Sequence, residues 1–474
     1  MTGFAGASTP PPVTVPVTGR RNAVFAVTAL GACMASLDLS IVNVAFPALS
    51  RSFSHDSRAA LAWVFTAYAI VFASLLVTAG RTADRLGRRR VFFTGLGVFT
   101  LGSALCGAAP TVALLVAGRV LQGAGAALLL PASLGLLLEV FPGPARSQAV
   151  ALWGGVGALA VATGPSLGAV LITAGGWRVA FYVNLPVGLG AWVAGRVVLP
   201  RSEPLDAAGR PDYPGVALSA AALAGVVFAL SEGSGWGWLD GRVVGALVAA
   251  VALGALFVRR CRRHADPVLD LSLFASRAFS VANAATLVYA MGFFAMLLGN
   301  ILFLTGVWHY TILRAGLAVT PGPLVVAVVS GPAGRSASRW GFRAVLLAGF
   351  AVFSGGLAWY ATVVGATPHY LREWLPATLI TGLGIGLTFP VLSAAAVSAL
   401  PPTRFAVGSA VNQTSRQVGG AIGVAALVAV LGSGTAPAAA LGPFRHLWTY
   451  CAACAAAAGL VCLGGLRRQR TPSA

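Results

Sequence analysis

A short basic stretch decides the fold of this chain: Gly80-Arg81-Thr82-Ala83-Asp84-Arg85-Leu86-Gly87-Arg88-Arg89-Arg90. It separates two apolar segments, residues 61–79 and 91–109, each about long enough to cross a bilayer as a helix. Five arginines cannot lie in hydrocarbon, so the stretch must be a tight turn at a membrane surface. Basic turns of this kind lie mainly on the cytoplasmic side. The sequence therefore predicts a helical hairpin whose turn is cytoplasmic.

The same frame occurs a second time. Residues 334–343 repeat the pattern G-R-[TS]-A-x-R-x-G-x-R, again between apolar segments. A second pattern, G-x-G-x-x-L-x-x-P, occurs at 123–131 and again at 382–390, and the two pairs are separated by nearly the same number of residues. We therefore predict two copies of a six-span unit in the same orientation. In such duplicated membrane proteins a substrate binds near the midplane between the copies, and rocking alternates access to it.

The composition is that of a polytopic membrane protein. Of 474 residues, 57% are hydrophobic and 9% are charged, whereas about a quarter are charged in soluble domains. The net charge of +20 does not indicate nucleic-acid binding, because the arginines lie in short turns and no basic domain stands outside the membrane. These turns are suited to anionic lipid at the bilayer surface. The sequence shows no phosphate-binding loop and no cluster of nucleophile, base or metal ligands, so we expect no cofactor, no metal and no enzyme.

We count fourteen apolar spans, with the seventh and eighth at 214–231 and 243–258 forming an insertion between the copies. With the N-terminus in the cytoplasm, arginines in the cytoplasmic turns outnumber those outside about threefold. Both termini are therefore predicted to be cytoplasmic, in a chain that crosses the plasma (inner) membrane many times. The predicted organisation is a disordered tail at 1–19, an N-terminal six-helix bundle at 20–200, two extra transmembrane helices at 201–265, a C-terminal six-helix bundle at 266–467 and a tail at 468–474.

Five motifs carry a resemblance to a known family. Gly80–Arg90 resembles the loop 2–3 signature of the major facilitator superfamily, and Leu37–Pro47 is similar to the span 1 signature of its fourteen-helix drug:proton antiporters. Arg119–Gly125 resembles the span 4 motif R-x-x-Q-G, and Trp177–Gly188 resembles the sequence that follows span 5. Ala160–Ala169 resembles the span 5 antiporter motif, with Ala in place of its first and last Gly. The resemblance implies an all-α major facilitator fold with two six-helix bundles plus two inserted transmembrane helices.

Three acids, Asp38, Asp84 and Glu139, lie in or against the apolar spans. A carboxylate at a helix centre costs roughly 2.5–3.5 kcal/mol on insertion scales, so Asp38 is expected to face the protein interior. There it can exchange a proton for a substrate, or serve as a structural carboxyl satisfied by its neighbours. The resemblance implies that Arg119 takes part in proton coupling, and its charge would set the ionisation of Asp38. The alternative is an arginine that packs helices through backbone carbonyls.

Polar and aromatic side chains in the spans are candidates for contact with substrate. Each can equally serve as an interhelical hydrogen bond or as packing. The candidates are Asp38, Asn43, Tyr68, Gln122, Trp153, Tyr289, Phe293, Asn300, Asn412, Gln413 and Arg416.

A further set of residues is predicted to gate rather than to bind. The resemblance implies that Asp84 meets the start of a helix in the second copy, here near Phe405, and Arg88 is placed to pair with Glu139. The alternative is a turn that only sets topology. Gly164 and Pro165 belong to the span 5 motif, which the resemblance relates to a seal between helices. The gating candidates are Gly80, Asp84, Arg85, Gly87, Arg88, Glu139, Gly164 and Pro165.

The function that these patterns favour is proton-coupled export of amphipathic or aromatic small molecules by a monomer. A dedicated exporter of one natural product is the second hypothesis, and sodium is an open alternative to the proton. A membrane-embedded enzyme would need clustered catalytic groups, but the five histidines are scattered in or beside the loops.

Overall fold

A computed structural model describes residues 18–141, 144–201, 212–265, 267–398, 400, 405–432 and 440–466. Within these ranges the secondary structure is helical, with no strand. A chain in hydrocarbon must satisfy its backbone N–H and C=O groups internally, and a helix does so within one segment. The helices are α1 (Thr18–Ser52), α2 (Arg58–Leu86), α3 (Arg88–Ala108), α4 (Val112–Val140), α5 (Pro144–Gly175), α6 (Val179–Tyr182), α7 (Asn184–Val198), α8 (Tyr213–Trp236), α9 (Gly241–Arg263), α10 (Arg277–Gly306), α11 (Ile312–Val319), α12 (Pro321–Trp340), α13 (Phe342–Val363), α14 (Leu375–Ser398), α15 (Phe405–Leu431) and α16 (Leu441–Gly465), with a 3₁₀ turn at Leu271–Ala275 and a π turn at Tyr370–Trp374.

Thirteen segments of the described residues are long and apolar enough to cross a membrane. Two of them contain a break: Val179–Val198 joins α6 to α7, and Ile312–Ala337 joins α11 to α12. Helix α5, with 32 residues, is not among the thirteen but occupies the place of the predicted fifth span. The predicted all-α polytopic fold is confirmed.

Both basic turns bend at a glycine. Gly87, between α2 and α3, has φ 92°, and Gly341, between α12 and α13, has φ 84°. Residues with a Cβ rarely adopt this region of φ, whereas glycine adopts it without steric cost. The repeated pattern G-R-[TS]-A-x-R-x-G-x-R therefore needs its second glycine for this turn. The same turn geometry is built twice.

Helix packing also follows the repeat. We call α1–α7 the N-terminal half and α10–α16 the C-terminal half. Helix α3 packs on α4 as α13 packs on α14, α1 packs on α5 as α10 packs on α15, and α2 packs on α4 as α12 packs on α14. The halves meet chiefly where α2 packs on α15 and α5 packs on α11.

A glycine permits a close helix contact at the equivalent position in each half. A Cβ at Gly125 would lie under 3.0 Å from the backbone N of Phe99, and a Cβ at Gly384 would lie 2.6 Å from the backbone N of Phe353. No side chain fits at such separations. Gly125 and Gly384 are the second glycines of the repeated G-x-G-x-x-L-x-x-P pattern, so the pattern records a helix-packing requirement.

The two extra helices form a hairpin, α8–α9, that we call the inserted hairpin. Helix α8 packs on both α2 and α15, and α9 packs mainly on α8. Buried Asp212 begins the hairpin, accepting hydrogen bonds from the Gly215 N–H at 3.0 Å and from Arg260 Nε at 2.5 Å. Burial alone would raise the pKa of the Asp212 carboxyl, but these hydrogen bonds outweigh burial and hold that pKa below its ordinary value. The hairpin is therefore fastened at the membrane surface by an ion pair.

The prediction of three acids in or against the membrane spans was incomplete. Glu232 is a fourth, because α8 continues to Trp236 and not to residue 231. In the sequence the apolar run ends before Gly233 and Gly235, but the helix continues through both glycines. The domain boundaries given above remain predictions. The predicted tails lie almost wholly outside the described residues, as does most of the chain between the N-terminal half and α8.

Candidate functional site

Asp38 lies at the centre of a buried polar cluster in the N-terminal half. Its side chain on α1 is fully buried, as expected from the sequence, and its Oδ2 is 2.5 Å from Arg119 Nη1 on α4. An ion pair this deep is weak evidence for stability, because desolvation offsets much of the attraction. Removing either partner, however, leaves an uncompensated charge. The pair is therefore a place where gaining or losing one proton changes the balance of forces.

Two amides and one hydroxyl, those of Gln122, Asn184 and Ser103, complete the cluster. Gln122 donates to Asp38 Oδ1 at 3.1 Å and to Ser103 Oγ at 2.6 Å, while its Oε1 accepts from Arg119 at 2.7 Å. Asn184, at the start of α7, donates to Asp38 Oδ1 at 3.4 Å and to Ser103 Oγ at 3.2 Å. Arg119 and Gln122 reach the same carboxylate because residues three apart share a helix face.

Arg119 has further contacts that hold it in place. Its Nε donates to the carbonyl of Val64 at 2.9 Å, and its guanidinium lies 4.3 Å from the ring centroid of Tyr68. A guanidinium over an aromatic face gains a cation–π interaction, which is stronger in a desolvated site. Arg119 thus pairs with Asp38 and also binds a backbone carbonyl, while its part in proton coupling stays a prediction.

A cavity lies between α1 and helices α10, α12, α13 and α14 of the C-terminal half. Its empty space is about 900 Å³ when the side open to solvent is counted. The lining is mostly apolar, with Phe293, Met296 and Val326 among its side chains. Its polar lining residues are Ser40, Asn43, Asn300, Tyr360, Thr378 and Thr381.

The polar groups of this cavity are uncharged. Tyr360 Oη and Thr378 Oγ1 are 2.7 Å apart, and the amide oxygen of Asn300 accepts from Trp448 Nε1 at 3.0 Å. Beside them, Trp374 and Trp448 lie in a buried aromatic cluster, with the Tyr360 and Trp374 ring centroids 4.7 Å apart. Such a wall suits an apolar or aromatic ligand that carries a few hydrogen-bonding groups.

Only some of the predicted substrate contacts line the cavity. Asn43, Phe293 and Asn300 do so. The remaining candidates lie elsewhere: Asp38, Tyr68 and Gln122 in the buried cluster, Trp153 on α5, Tyr289 among the rings of Phe350, Phe353 and Phe389, and Asn412, Gln413 and Arg416 on α15.

Asn412 belongs to helix packing. Its amide donates to Asn283 Oδ1 at 3.3 Å and to Thr286 Oγ1 at 3.0 Å, and its own oxygen accepts from Ser393 at 3.1 Å. These bonds join α15 to α10 and α14. The interhelical alternative considered from the sequence is the one found for this residue.

The basic turn between α2 and α3 carries the expected ion pairs. Arg88 lies 3.0 Å from Asp84 and 3.1 Å from Glu139, and it donates to the carbonyl of Gly135 at 3.2 Å. The predicted pairing of Arg88 with Glu139 is confirmed. These bonds fasten the turn to the end of α4. The predicted contact of Asp84 with the start of α15, near Phe405, stays a prediction.

The span 5 motif lies where helices approach closely. A Cβ at Gly164 would collide with the side chain of Ser40, two residues from Asp38 on α1. The carbonyl of Pro165 lies 2.7 Å from the position of a Cβ at Gly316 on α11, and Ser166 Oγ is 2.5 Å from Thr320 Oγ1. The motif therefore joins the two halves at the end of the bundle away from the basic turns.

Sequence reasoning missed several residues of these sites. Asn184 and Ser103 bind around Asp38, and Tyr360, Thr378 and Thr381 line the cavity. Asn184 could have been found from the sequence, since it is an amide within Trp177–Gly188, the stretch that resembles the family sequence after span 5. Hydroxyls in apolar spans carry no such signal, because they satisfy themselves on the preceding helical turn, as Thr381 does by donating to the carbonyl of Ala377.

The chain is similar to proteins named for drug and antibiotic resistance. It is 34% identical over 426 residues to the methylenomycin A resistance protein of Streptomyces coelicolor, covering 88% of each chain. It is 36% identical over 411 residues to the multidrug resistance protein B homolog of Mycobacterium tuberculosis, covering 85% of this chain and 75% of that one. It is 32% identical to the tetracenomycin C resistance and export protein of Streptomyces glaucescens, covering 88% and 77%.

Solved transporters share the fold. An auto-inhibited POT family peptide transporter has a TM-score of 0.69 at 18% identity, covering 95% of this chain and 98% of that chain. The nucleoside transporter NupG has a TM-score of 0.66 at 10% identity, covering 94% and 100%. A sequence profile described as the Major Facilitator Superfamily matches residues 28–424. The chain is a multi-pass membrane transporter and belongs to the major facilitator superfamily.

Proposed function

We propose that this chain is a proton-coupled antiporter that exports amphipathic or aromatic small molecules by alternating access. The observation that carries the proposal is the buried Asp38–Arg119 pair, because Asp38 lies on the same helix as two residues that line the cavity. Ser40 and Asn43 follow Asp38 on α1 and line the cavity. Coupling needs a group that binds a proton and a mechanical path from it to the substrate, and α1 supplies both.

Protonation acts on this pair by neutralising its carboxylate. When Asp38 takes a proton, Arg119 loses its counter-ion and retains the Val64 carbonyl, Gln122 and the rings of Tyr68 and Phe181. A buried cation without a counter-ion is costly, so the packing of α1 against α4 must adjust. Because α1 also lines the cavity, the adjustment changes the substrate site. Proton and substrate thereby favour different arrangements of the same helix.

The basic turn supplies the gate in this proposal. Arg88 ties Asp84 and Glu139 together at the ends of α2 and α4. These side chains are only partly buried, so solvent screens the ion pairs and lets them break and re-form at a smaller cost than a fully buried pair. At the other end of the bundle, Arg58 donates to the carbonyl of Leu431 at 2.9 Å, and Ser166 meets Thr320. The arrangement described here has that end closed.

A second candidate is a dedicated exporter of one natural product. It is favoured by relatives named for single compounds, namely methylenomycin A, tetracenomycin C and puromycin. A panel of dyes and antibiotics separates the two. Transport of many unrelated aromatic compounds supports multidrug export, whereas transport of one compound supports the dedicated exporter.

We further propose that the chain acts as a monomer in the plasma membrane. Both termini are proposed to be cytoplasmic, as the arginine distribution predicts.

The experiment is transport into proteoliposomes under an imposed pH gradient. We expect substrate movement against protons in the wild type, and loss of drug-driven proton movement in Asp38→Asn, which keeps the shape and removes the titrating group. Asp56→Asn, the same change in the loop before α2, is the matched control and should transport normally. Substrate-coupled proton movement that survives in Asp38→Asn would contradict the proposal. If a sodium gradient alone drives substrate movement, the coupling ion is sodium and not the proton.

A further inference from the structure

The C-terminal half contains a cation that no acid among the described residues neutralises. Arg416 lies on α15, about 16 Å along the helix from its first residue and therefore deep in the membrane. Its Nε is buried and makes no hydrogen bond, and none of the ion pairs among the described residues includes it. Its guanidinium lies 5.6 Å from the ring centroid of Phe389 on α14. A weak aromatic contact is thus its only specific interaction there.

The two deep arginines differ in this respect. Arg119 is balanced by Asp38 and by two further acceptors. The buried Nε of Arg416 donates to no acceptor among the described residues, while the rest of its side chain is partly exposed. A buried donor without an acceptor, next to a charge within a membrane helix, is unfavourable, and natural proteins retain such groups chiefly where a ligand or an ion path uses them. The missing partner would be an anion.

Arg416 is connected to the cavity through rings. The Phe389 centroid lies 4.9 Å from that of Phe293, and Phe293 lines the cavity. Phe389 thus stands between the cavity wall and Arg416. A ligand whose aromatic body packs on Phe293 would reach Arg416 if it carried an acidic group past this ring. Arg416 would then receive that group.

We propose that the transported molecules include aromatic acids, whose carboxylate binds the guanidinium of Arg416 while the ring system occupies the cavity. This inference rests on the proposed export function, because it names a substrate class for the same cavity. An arginine suits the role, since its planar fork binds a carboxylate in a fixed geometry and stays charged at all working pH values. A membrane potential that is negative inside also favours the outward movement of an anion.

The test is binding to the purified protein without any ion gradient. Naphthalene-, anthracene- and pyrene-carboxylates are compared with the matching carboxamides, which have nearly the same shape and no charge, by their fluorescence on binding. We expect wild-type protein to bind at least one carboxylate tenfold more tightly than its carboxamide, a difference of about 1.4 kcal/mol. Arg416→Gln should lose this preference and still bind the carboxamide. Arg416→Lys, which keeps the charge, should retain part of it.

Arg372→Gln removes a charge from an exposed side chain and is the matched control, which should keep the full preference. Equal binding of every acid and amide by the wild type, or binding of none of them, would overturn the inference. So would an Arg416→Gln variant that weakens both members of a pair equally, because that result indicates a structural role. Failure of proton coupling in the vesicle assay leaves this measurement intact, so the two proposals fail separately.

Discussion

The two halves of the molecule place different chemistry at equivalent positions. A Cβ at Gly102 would lie 2.7 Å from the backbone N of Gln122, and a Cβ at Gly356 would lie 2.9 Å from that of Thr381. The helix pairs α3–α4 and α13–α14 therefore meet in the same register. In that register Arg119 and Gln122 of the N-terminal half correspond to Thr378 and Thr381 of the C-terminal half, and Cys106 corresponds to Tyr360.

The difference separates two tasks within one architecture. In the N-terminal half the position holds a buried charged cluster outside the cavity lining, which we propose as the proton site. In the C-terminal half the same position is neutral and lines the cavity, where it can contact an apolar molecule. Duplication thus supplied two copies of the packing, and substitution gave one copy charge and the other a binding wall.

The largest expected effect comes from removing the N-terminal cation. Arg119→Gln leaves the carboxylate of Asp38 buried without its partner, and we expect a loss of about 3–5 kcal/mol of stability. The equivalent change, Thr378→Val, removes a neutral hydroxyl with its hydrogen bonds to Tyr360 and to the carbonyl of Trp374, and should cost about 2 kcal/mol. Chemical unfolding in detergent micelles measures both. Two variants of equal stability would contradict the separation of tasks.

A second pair of variants tests whether the packing is truly equivalent. Gly125→Ala and Gly384→Ala each force a methyl group against the backbone of the facing helix, and each should cost about 1–3 kcal/mol by overpacking. Gly355→Ala, next to Gly356 but facing open space, is the control and should be neutral or slightly stabilising. Thermal unfolding of the three variants gives the comparison. A large loss in only one half would show that the halves do not share this contact.

The smallest effect is expected in the cavity wall. Tyr360→Phe removes the hydroxyl that lies 2.7 Å from Thr378 and should weaken substrates that bond to it by about 1 kcal/mol. Thr378 keeps its bond to the carbonyl of Trp374, so the wall should not collapse. Proton coupling should remain unchanged, as measured by proton movement per substrate in vesicles. A change in coupling would show that the C-terminal wall is part of the proton site.

The sequence predicted the charged contacts better than the neutral ones. Asp38 and Glu139 stood out because acids are rare in apolar spans, and each was found with the arginine expected for it. Asn412 and Tyr289 were polar residues in spans as well, but nothing local distinguishes a residue that lines a cavity from one that packs a helix. The hydroxyls of Thr378 and Thr381 gave no signal at all, because a threonine is common in any membrane helix.

What the sequence determined by itself was the number and type of the elements, the duplicated turn and the few buried charges. Each of these follows from a cost that is paid locally: backbone groups must be satisfied in hydrocarbon, a turn needs glycine at positive φ, and a charge cannot face lipid. The tertiary structure alone decided where the cavity lies, which side chains border it, and that Asn184 and Ser103 join Asp38 while Arg416 remains unpaired. Those outcomes depend on how helices rotate and approach one another, and this is set by contacts between residues far apart in the chain.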